Sequence, residues 1–252
     1  MEAETSIREG AEDEKSQILG EQSSTPLKVV VVGGGQAGTA TSYFLRRRRI
    51  SHVVLEKDRA FSEWHGRWDS FHMNTVNWMN ALPGAATEFA PGESRDALGT
   101  REEALSYFQN YLSAVKPPLV EHTEVTSVRQ EENDTWKVVT LGPVFETNNV
   151  AICTGAFRDP KLPPVASELP ATVPQLHSRE YRNPDQIEGR HALVVGSGNS
   201  GVQICHDLAK SQRFEVLTLA VSGNMAFPLK ILGIPIHTVA RWLGLLDLKA
   251  HS

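Results

Sequence analysis

Two stretches of this sequence place glycines where a backbone must come close to a ligand. The first, KVVVVGGGQAGTATSYFL (Lys28 to Leu45), carries Gly33, Gly34, Gly35 and Gly38. The second, HALVVGSGNSGVQICHDLA (His191 to Ala209), carries Gly196, Gly198 and Gly201. In each, a short apolar run precedes the glycines and a helical pattern follows. In a Gly-x-Gly-x-x-Gly turn the first glycine permits the bend and the second lets the backbone approach a pyrophosphate. The third lets the helix pack on the strand. The helix N-terminus then offers N–H groups to the phosphate charge. An acidic residue at the end of the next strand takes the ribose hydroxyls, and Glu56 stands there in HVVLEKD (His52 to Asp58). The first site is therefore predicted at Gly33, Gly35, Gln36, Ala37, Gly38, Glu56 and Lys57, and the second at Gly196, Ser197, Gly198, Asn199, Ser200 and Gly201.

The second turn lacks a ribose-binding acid, because its next strand, RFEVLTLAV, runs into SGN. That weakens NADH as the ligand. A 2′-phosphate calls for Arg or Lys, and the nearest cation on the C-terminal side is Lys230; the reading leans to NADPH. Two dinucleotide sites in one chain imply hydride passing from a nicotinamide on the second to a flavin on the first.

Elements that position these residues follow from periodicity. Val29 to Val32 is a continuous apolar run, as in a strand buried on both faces of a parallel sheet. The helix after it is expected to turn Ala37, Ala40, Thr41, Phe44 and Leu45 inward. Thr100 followed by Glu103 opens another helix with a capping box, with Ala104, Phe108, Tyr111 and Leu112 inward, ending before Pro117. VEHTEVTSV, TWKVVTL and NNVAICTG read as strands, the first two antiparallel. DPKLPPVASELPATVPQ is proline-rich and reads as a linker. The fold class is α/β, with two Rossmann-like dinucleotide-binding units and a small antiparallel β element. Residues 1–26 are expected to be a disordered tail, 27–160 an FAD-binding domain, 161–190 a linker, and 191–252 an NADPH-binding domain.

Composition excludes several classes. The 252 residues are 40% hydrophobic and 22% charged, with a net charge of −5. No basic face points to nucleic acid; the one basic run, Arg46 to Arg49, sits where a helix ends and complements its dipole. The two cysteines, Cys153 and Cys205, are expected to be buried core residues. They are too far apart in sequence for a dithiol redox pair, and their small number fits a reducing, cytoplasmic setting. No Cys/His spacing suggests a metal site. The acidic N-terminus has no apolar core of a secretory signal, and no apolar run is long enough to span a membrane. AFPLKILGIPIHTVARWLGLLDLKAHS is apolar at intervals; a membrane-surface helix there is disfavoured by Pro235 and by Lys230, His237 and Arg241.

Between the glycine turns, FSEWHGRWDSFHMNTVNW (Phe61 to Trp78) resembles the segment after the second strand in flavin-containing monooxygenases. VAICTGAFRDPKLPP resembles their Ala-Thr-Gly linker, and QLHSREYRNP, with His177 and Tyr181, their identifying segment. With both glycine turns, the pattern is most similar to the bacterial-type enzymes related to plant YUCCA monooxygenases. Departures are Ser62 and Glu63 where the family has a glycine pair, Ala171 and Val173 in its Phe-x-Gly, and Cys153 in place of an alanine. The resemblance implies FAD and NADPH as cofactors. It implies a small organic substrate that receives one oxygen atom of O2 through a flavin hydroperoxide. Gly33, Gly35, Gly38 and Glu56 would hold FAD, Trp64 would pack near the flavin, and the second glycine turn would hold NADPH. Either Asn74 or Asn77 would contact flavin and nicotinamide. The competing reading from residue type makes Trp64, Trp68 and Trp78 core anchors, Asn74 and Asn77 turn residues, and His177 a structural hydrogen-bonding residue. In that family the NADPH-binding domain is inserted into the FAD-binding one and the chain continues past this point to complete both. The resemblance thus implies an incomplete FAD-binding domain at 27–160 and only the N-terminal part of the NADPH-binding domain at 191–252. A catalytically weak or inactive nucleotide-binding remnant is therefore the alternative expectation. Substrate identity and oligomeric state stay open.

Overall fold

The computed structural model describes residues 27–84, 94–157, 159–223, 230–231 and 234–236. The expected tail at 1–26 and the apolar C-terminal segment lie outside them, apart from two short paired strands. The chain divides into two compact units, one built from residues 27–63, 82–84 and 108–159, the other from 64–81, 94–107 and 160–236.

In the first unit, β1 (Val29–Val32) leads through the glycines into α1 (Gln36–Arg47) and back to β2 (His52–Leu55); the single turn α2 (Ser62–His65) comes next in the chain. β5 (Leu119–Val120) and β9 (Asn149–Ile152) complete a parallel sheet in the order β5-β2-β1-β9. The valine run is buried on both faces, with Val30, Val31, Val53 and Val54 fully inaccessible, as an interior parallel strand requires. One face meets α1. The other packs Val30, Val32, Val53, Leu55 and Val120 against Val138 and Phe145. Those two belong to an antiparallel meander, β6 (Val125–Gln130), β7 (Trp136–Thr140) and β8 (Val144–Thr147). The run read as one strand from Val120 onward is thus two: Leu119–Val120 extends the parallel sheet, and Val125–Gln130 opens the meander. β8 was not anticipated, because its alternation is only four residues long.

The inward face of α1 differs from expectation. Its buried residues are Gly38, Thr39 and Ser42, while Ala37 and Phe44 are exposed. Helix and sheet approach so closely at the glycine turn that only small side chains fit between them. The small polar ones are satisfied locally, Thr39 Oγ1 donating to Gly35 O (2.9 Å) and Ser42 Oγ bonding His52 Nε2 (2.8 Å). Arg46 and Arg47 occupy the last turn of α1. Arg46 also donates to the carbonyls of Val115 and Lys116, satisfying the C-terminal end of α3 (Arg101–Val115). At the other end of α3 the capping box forms in full: Glu103 Oε2 accepts from Thr100 N–H (2.7 Å), and Thr100 Oγ1 from Glu103 N–H (3.2 Å). Its expected face is buried at Ala104, Phe108 and Tyr111, with Leu112 half-buried and Tyr107 and Val115 added.

The second unit contains β3 (His72–Val76) paired antiparallel with β4 (Leu98–Thr100), an irregular ladder joined only at His72–Thr100 and Val76–Leu98. β10 (His191–Val195) and β11 (Val216–Ala220) form a parallel pair bridged by α4 (Asn199–Ser211). Ile204 and Leu208 of α4 are buried, whereas Leu193, Val195 and Val216 are exposed. The proline-rich segment forms a 3-10 turn at Pro164–Glu168, and the remainder of the expected linker forms a second at Pro184–Gln186. Asp69 holds its end, accepting from Asn183 Nδ2 and Arg101 Nη1, both at 2.8 Å.

Candidate dinucleotide sites

Each glycine of the first turn has a separate steric reason. Gly33 sits at φ +110° and its N–H donates to Leu55 O (2.8 Å). A Cβ there would lie 2.4 Å from Cys153 O. A Cβ at Gly38 would lie 1.8 Å from Gly33 O, so the helix touches the turn backbone to backbone. Gly35 is different: a Cβ there meets nothing within 4 Å. It is the N-cap of α1, in extended conformation, with no capping side chain and no acid in the first turn. The opening N–H groups, including those of Gln36 and Ala37, have no intrahelical acceptor, and nothing lies within 4 Å of where a side chain at Gly35 would begin. Such a cradle suits an anion.

Glu56, at the end of β2, is buried. Its Oε2 accepts from Gly34 N–H (2.6 Å) and its Oε1 from Asp58 N–H (3.0 Å). These bonds hold the carboxylate rigidly beside the turn, and each oxygen keeps a lone pair for a hydroxyl donor. Gly34, given no role above, is needed because a Cβ there would lie 2.9 Å from Glu56 Cβ; the unbroken triple glycine was its signal. Lys57 is half-buried and 3.7 Å from Asp58 Oδ2.

The second turn repeats the first. Gly196 has φ +105° and its N–H donates to Ala220 O (2.9 Å). A Cβ at Gly201 would lie 2.0 Å from Gly196 O, and one at Gly198 meets nothing within 4 Å. Gly198 caps α4 in extended conformation, again with no capping side chain and no acid in the first turn. Ser197, Gly198 and Asn199 are exposed, Ser200 and Gly201 half-buried. β11 ends at Ala220 without an acid. The side chain of Lys230 lies outside the described residues.

The two candidate asparagines part company. Asn74, on β3, is exposed, and its Oδ1 accepts from Gln203 Nε2 (3.0 Å). Asn77 is buried; its Nδ2 donates to Ser94 O (3.1 Å), and its Oδ1 has no hydrogen-bond partner among the described residues. Trp64 is half-buried, edge-on to Phe71 at 5.9 Å, with the Arg67 guanidinium 5.9 Å from its ring. Trp68 is a core anchor, fully buried against Phe71 and Tyr181. His177 Nδ1 accepts from Arg179 N–H (3.1 Å), a structural bond. Tyr181 donates to Asp207 Oδ2 (2.7 Å); burial first, then Asp207, push its phenol well above the ordinary range.

Cys153 and Cys205 are free thiols and only half-buried, which corrects their expected place in the core. Cys153 stands at the sheet edge, where its carbonyl rather than its thiol faces the glycine turn. Burial pushes its thiol up, with the Thr41 hydroxyl opposing. Among the described residues no His, Cys, Asp and Glu cluster could hold a metal, and no helix is long and apolar enough to cross a membrane.

Residues 30–223 match the family described as pyridine nucleotide-disulphide oxidoreductase. An uncharacterized oxidoreductase, CzcO-like, of Geobacillus kaustophilus is 34% identical over 226 residues, covering 89% of this chain and 63% of that protein. The probable indole-3-pyruvate monooxygenase YUCCA10 of Arabidopsis thaliana is 30% identical over 190 residues, covering 71% of this chain and 48% of that protein. Among solved structures, the flavin-containing monooxygenase from Stenotrophomonas maltophilia superposes with a TM-score of 0.70 at 27% identity, covering 81% of this chain and 60% of that one. The chain thus spans about half to five-eighths of the length of such relatives. It belongs to the pyridine nucleotide-disulphide oxidoreductase family, and its relatives there include flavin-containing monooxygenases of the bacterial and YUCCA-like kind.

Proposed function

We propose that this chain is the nucleotide-binding part of an FAD- and NADPH-dependent monooxygenase that transfers one oxygen atom of O2 to a small organic substrate. One observation carries the reading. The same cradle occurs twice, at Gly33–Gly38 and Gly196–Gly201, and among the described residues only the first is accompanied by a buried acid. An acid beside the first turn suits an unphosphorylated ribose, as in FAD. Its lack at the second suits a 2′-phosphate, which a carboxylate would repel. The names of the relatives support the redox class.

In this reading, Gly33, Gly35 and Gly38 with the opening N–H groups of α1 hold the FAD pyrophosphate, and Glu56 holds its ribose. Gly196 to Gly201 hold the NADPH pyrophosphate. Bound flavin supplies hydride acceptance and oxygen activation; the protein supplies binding, orientation and exclusion of water. Asn74 and Asn77 are the candidate amide donors at the reacting end, and Trp64 the candidate ring contact.

The test is the visible spectrum of the purified full chain reconstituted with FAD, followed anaerobically after mixing with NADPH. A bound flavin band that bleaches with NADPH, and faster than with NADH, is expected. A chain that retains no FAD would overturn the assignment of the first turn. A flavin that NADPH leaves oxidised would overturn that of the second.

A further inference from the structure

Gln203 lies on α4, just after the third glycine of the second turn. Its side chain makes three hydrogen bonds to β3. Oε1 accepts from His72 N–H (3.2 Å), and Nε2 donates to His72 O (2.9 Å) and to Asn74 Oδ1 (3.0 Å). The first two imitate a strand partner. They also settle which end of the Gln203 amide is which, because a backbone N–H and C=O cannot exchange roles. Nε2 therefore faces Asn74 as a donor, and Asn74 must answer with its oxygen. That leaves the Asn74 N–H2 directed elsewhere, on an exposed residue with no other partner among the described residues. The irregular stretch of the β3–β4 ladder, between His72 and Val76, spans this residue, and such irregularities re-aim side chains.

We propose that Gln203 is a positioning residue that couples the second glycine turn to Asn74. It fixes the Asn74 carboxamide so that its N–H2 is presented to an acceptor oxygen of a dinucleotide held at that turn, the nicotinamide carboxamide oxygen being the matching group. This rests on the reading of Gly196–Gly201 as a dinucleotide site. A purely structural tie would need only the His72 backbone. The third bond orients an exposed amide that would otherwise rotate freely.

The test uses the full chain labelled with 15N, in which the Asn74 N–H2 signals are identified by their loss in Asn74→Asp. Gln203→Glu keeps the acceptor for His72 N–H but has no proton for Asn74. The Asn74 amide should then turn and spend its own donor on the new carboxylate. Its signals should shift, NADP+ affinity should fall about tenfold, the loss expected for one hydrogen bond, and FAD affinity should stay unchanged. In the neutral pair Gln203→Ala and Asn74→Ala, the double variant should lose less NADP+ affinity than the product of the two single losses. If Gln203→Glu folds poorly, Gln203→Ala carries the same readout, since the Asn74 signals must move there too. Unmoved Asn74 signals, or losses that multiply in the double variant, would overturn the positioning role. A wild-type chain that binds no NADP+ while the Asn74 signals still shift would overturn the dinucleotide reading, and with it the ligand half of the proposal.

Discussion

The glycines of one turn are not equivalent, and the difference is measurable. Gly38 is packed against a carbonyl that cannot move, so Gly38→Ala should cost about 3 kcal/mol or more, the upper end of overpacking, seen as a lower urea midpoint. Gly35 is open on its side-chain side, and serine is at least as good an N-cap as glycine. Gly35→Ser should therefore leave the urea midpoint unchanged or raise it, while its side chain enters the pyrophosphate space and lowers FAD affinity at least about tenfold. Loss of stability with retained FAD would reverse the assignment. At Glu56, the isosteric Glu56→Gln places an N–H2 against one of two backbone donors. A charge-assisted bond is worth about 1.5–3 kcal/mol, and calorimetry should show a comparable weakening of FAD with NADP+ untouched.

At the scale of the element, β2 and α1 are held together by a buried His52. Its Nδ1 donates to Ile50 O and its Nε2 accepts from Ser42 Oγ, both at 2.8 Å, which is the neutral imidazole. Burial lowers its pKa below 6.5, with the Ile50 bond opposing and the Arg46 charge assisting. The unfolded chain takes up a proton near pH 6.5 and the folded chain resists it. The stability this histidine contributes is thus complete above pH 6.5 and is lost as pH falls through the lower folded value. Urea midpoints at about pH 7 and about pH 5 should converge when His52→Gln replaces the wild type. An unchanged gap would show that other groups carry the acid sensitivity. The face of α1 that meets the sheet was misread for a related reason. Periodicity finds the bulkiest stripe, but the tight turn admits only Gly38, Thr39 and Ser42.

For the whole molecule, the duplication predicts separable sites. Gly35→Ser should remove FAD and spare NADP+, and Gly198→Ser, equally open at its Cβ, should do the reverse in the same calorimetric titrations. Loss of both ligands from either change would mean that the turns do not act as two sites. The exposed Leu193, Val195 and Val216 make a further check on the second unit. Leu193→Thr should change stability by less than about 0.5 kcal/mol, as at an ordinary surface position, whereas Leu208→Thr, in the buried face of α4, should cost several times that.

The strand–glycine–helix units, the capping box at Thr100 and Glu103, and the position of Glu56 were legible in the sequence, because each is a local rule with a fixed spacing. The repeated order of strand, glycines and helix was equally legible, and it is what makes the two turns candidate dinucleotide sites. Tertiary structure decided what depends on residues far apart in the chain. It gave Gly34 its purpose through the stem of Glu56, and it took the cysteines out of the core. It replaced a bulky helix face by a small one, and it separated Asn74 from Asn77 by exposing one and burying the other. Those outcomes are set by how closely helix, strand and turn approach each other, a distance that no spacing along the chain encodes.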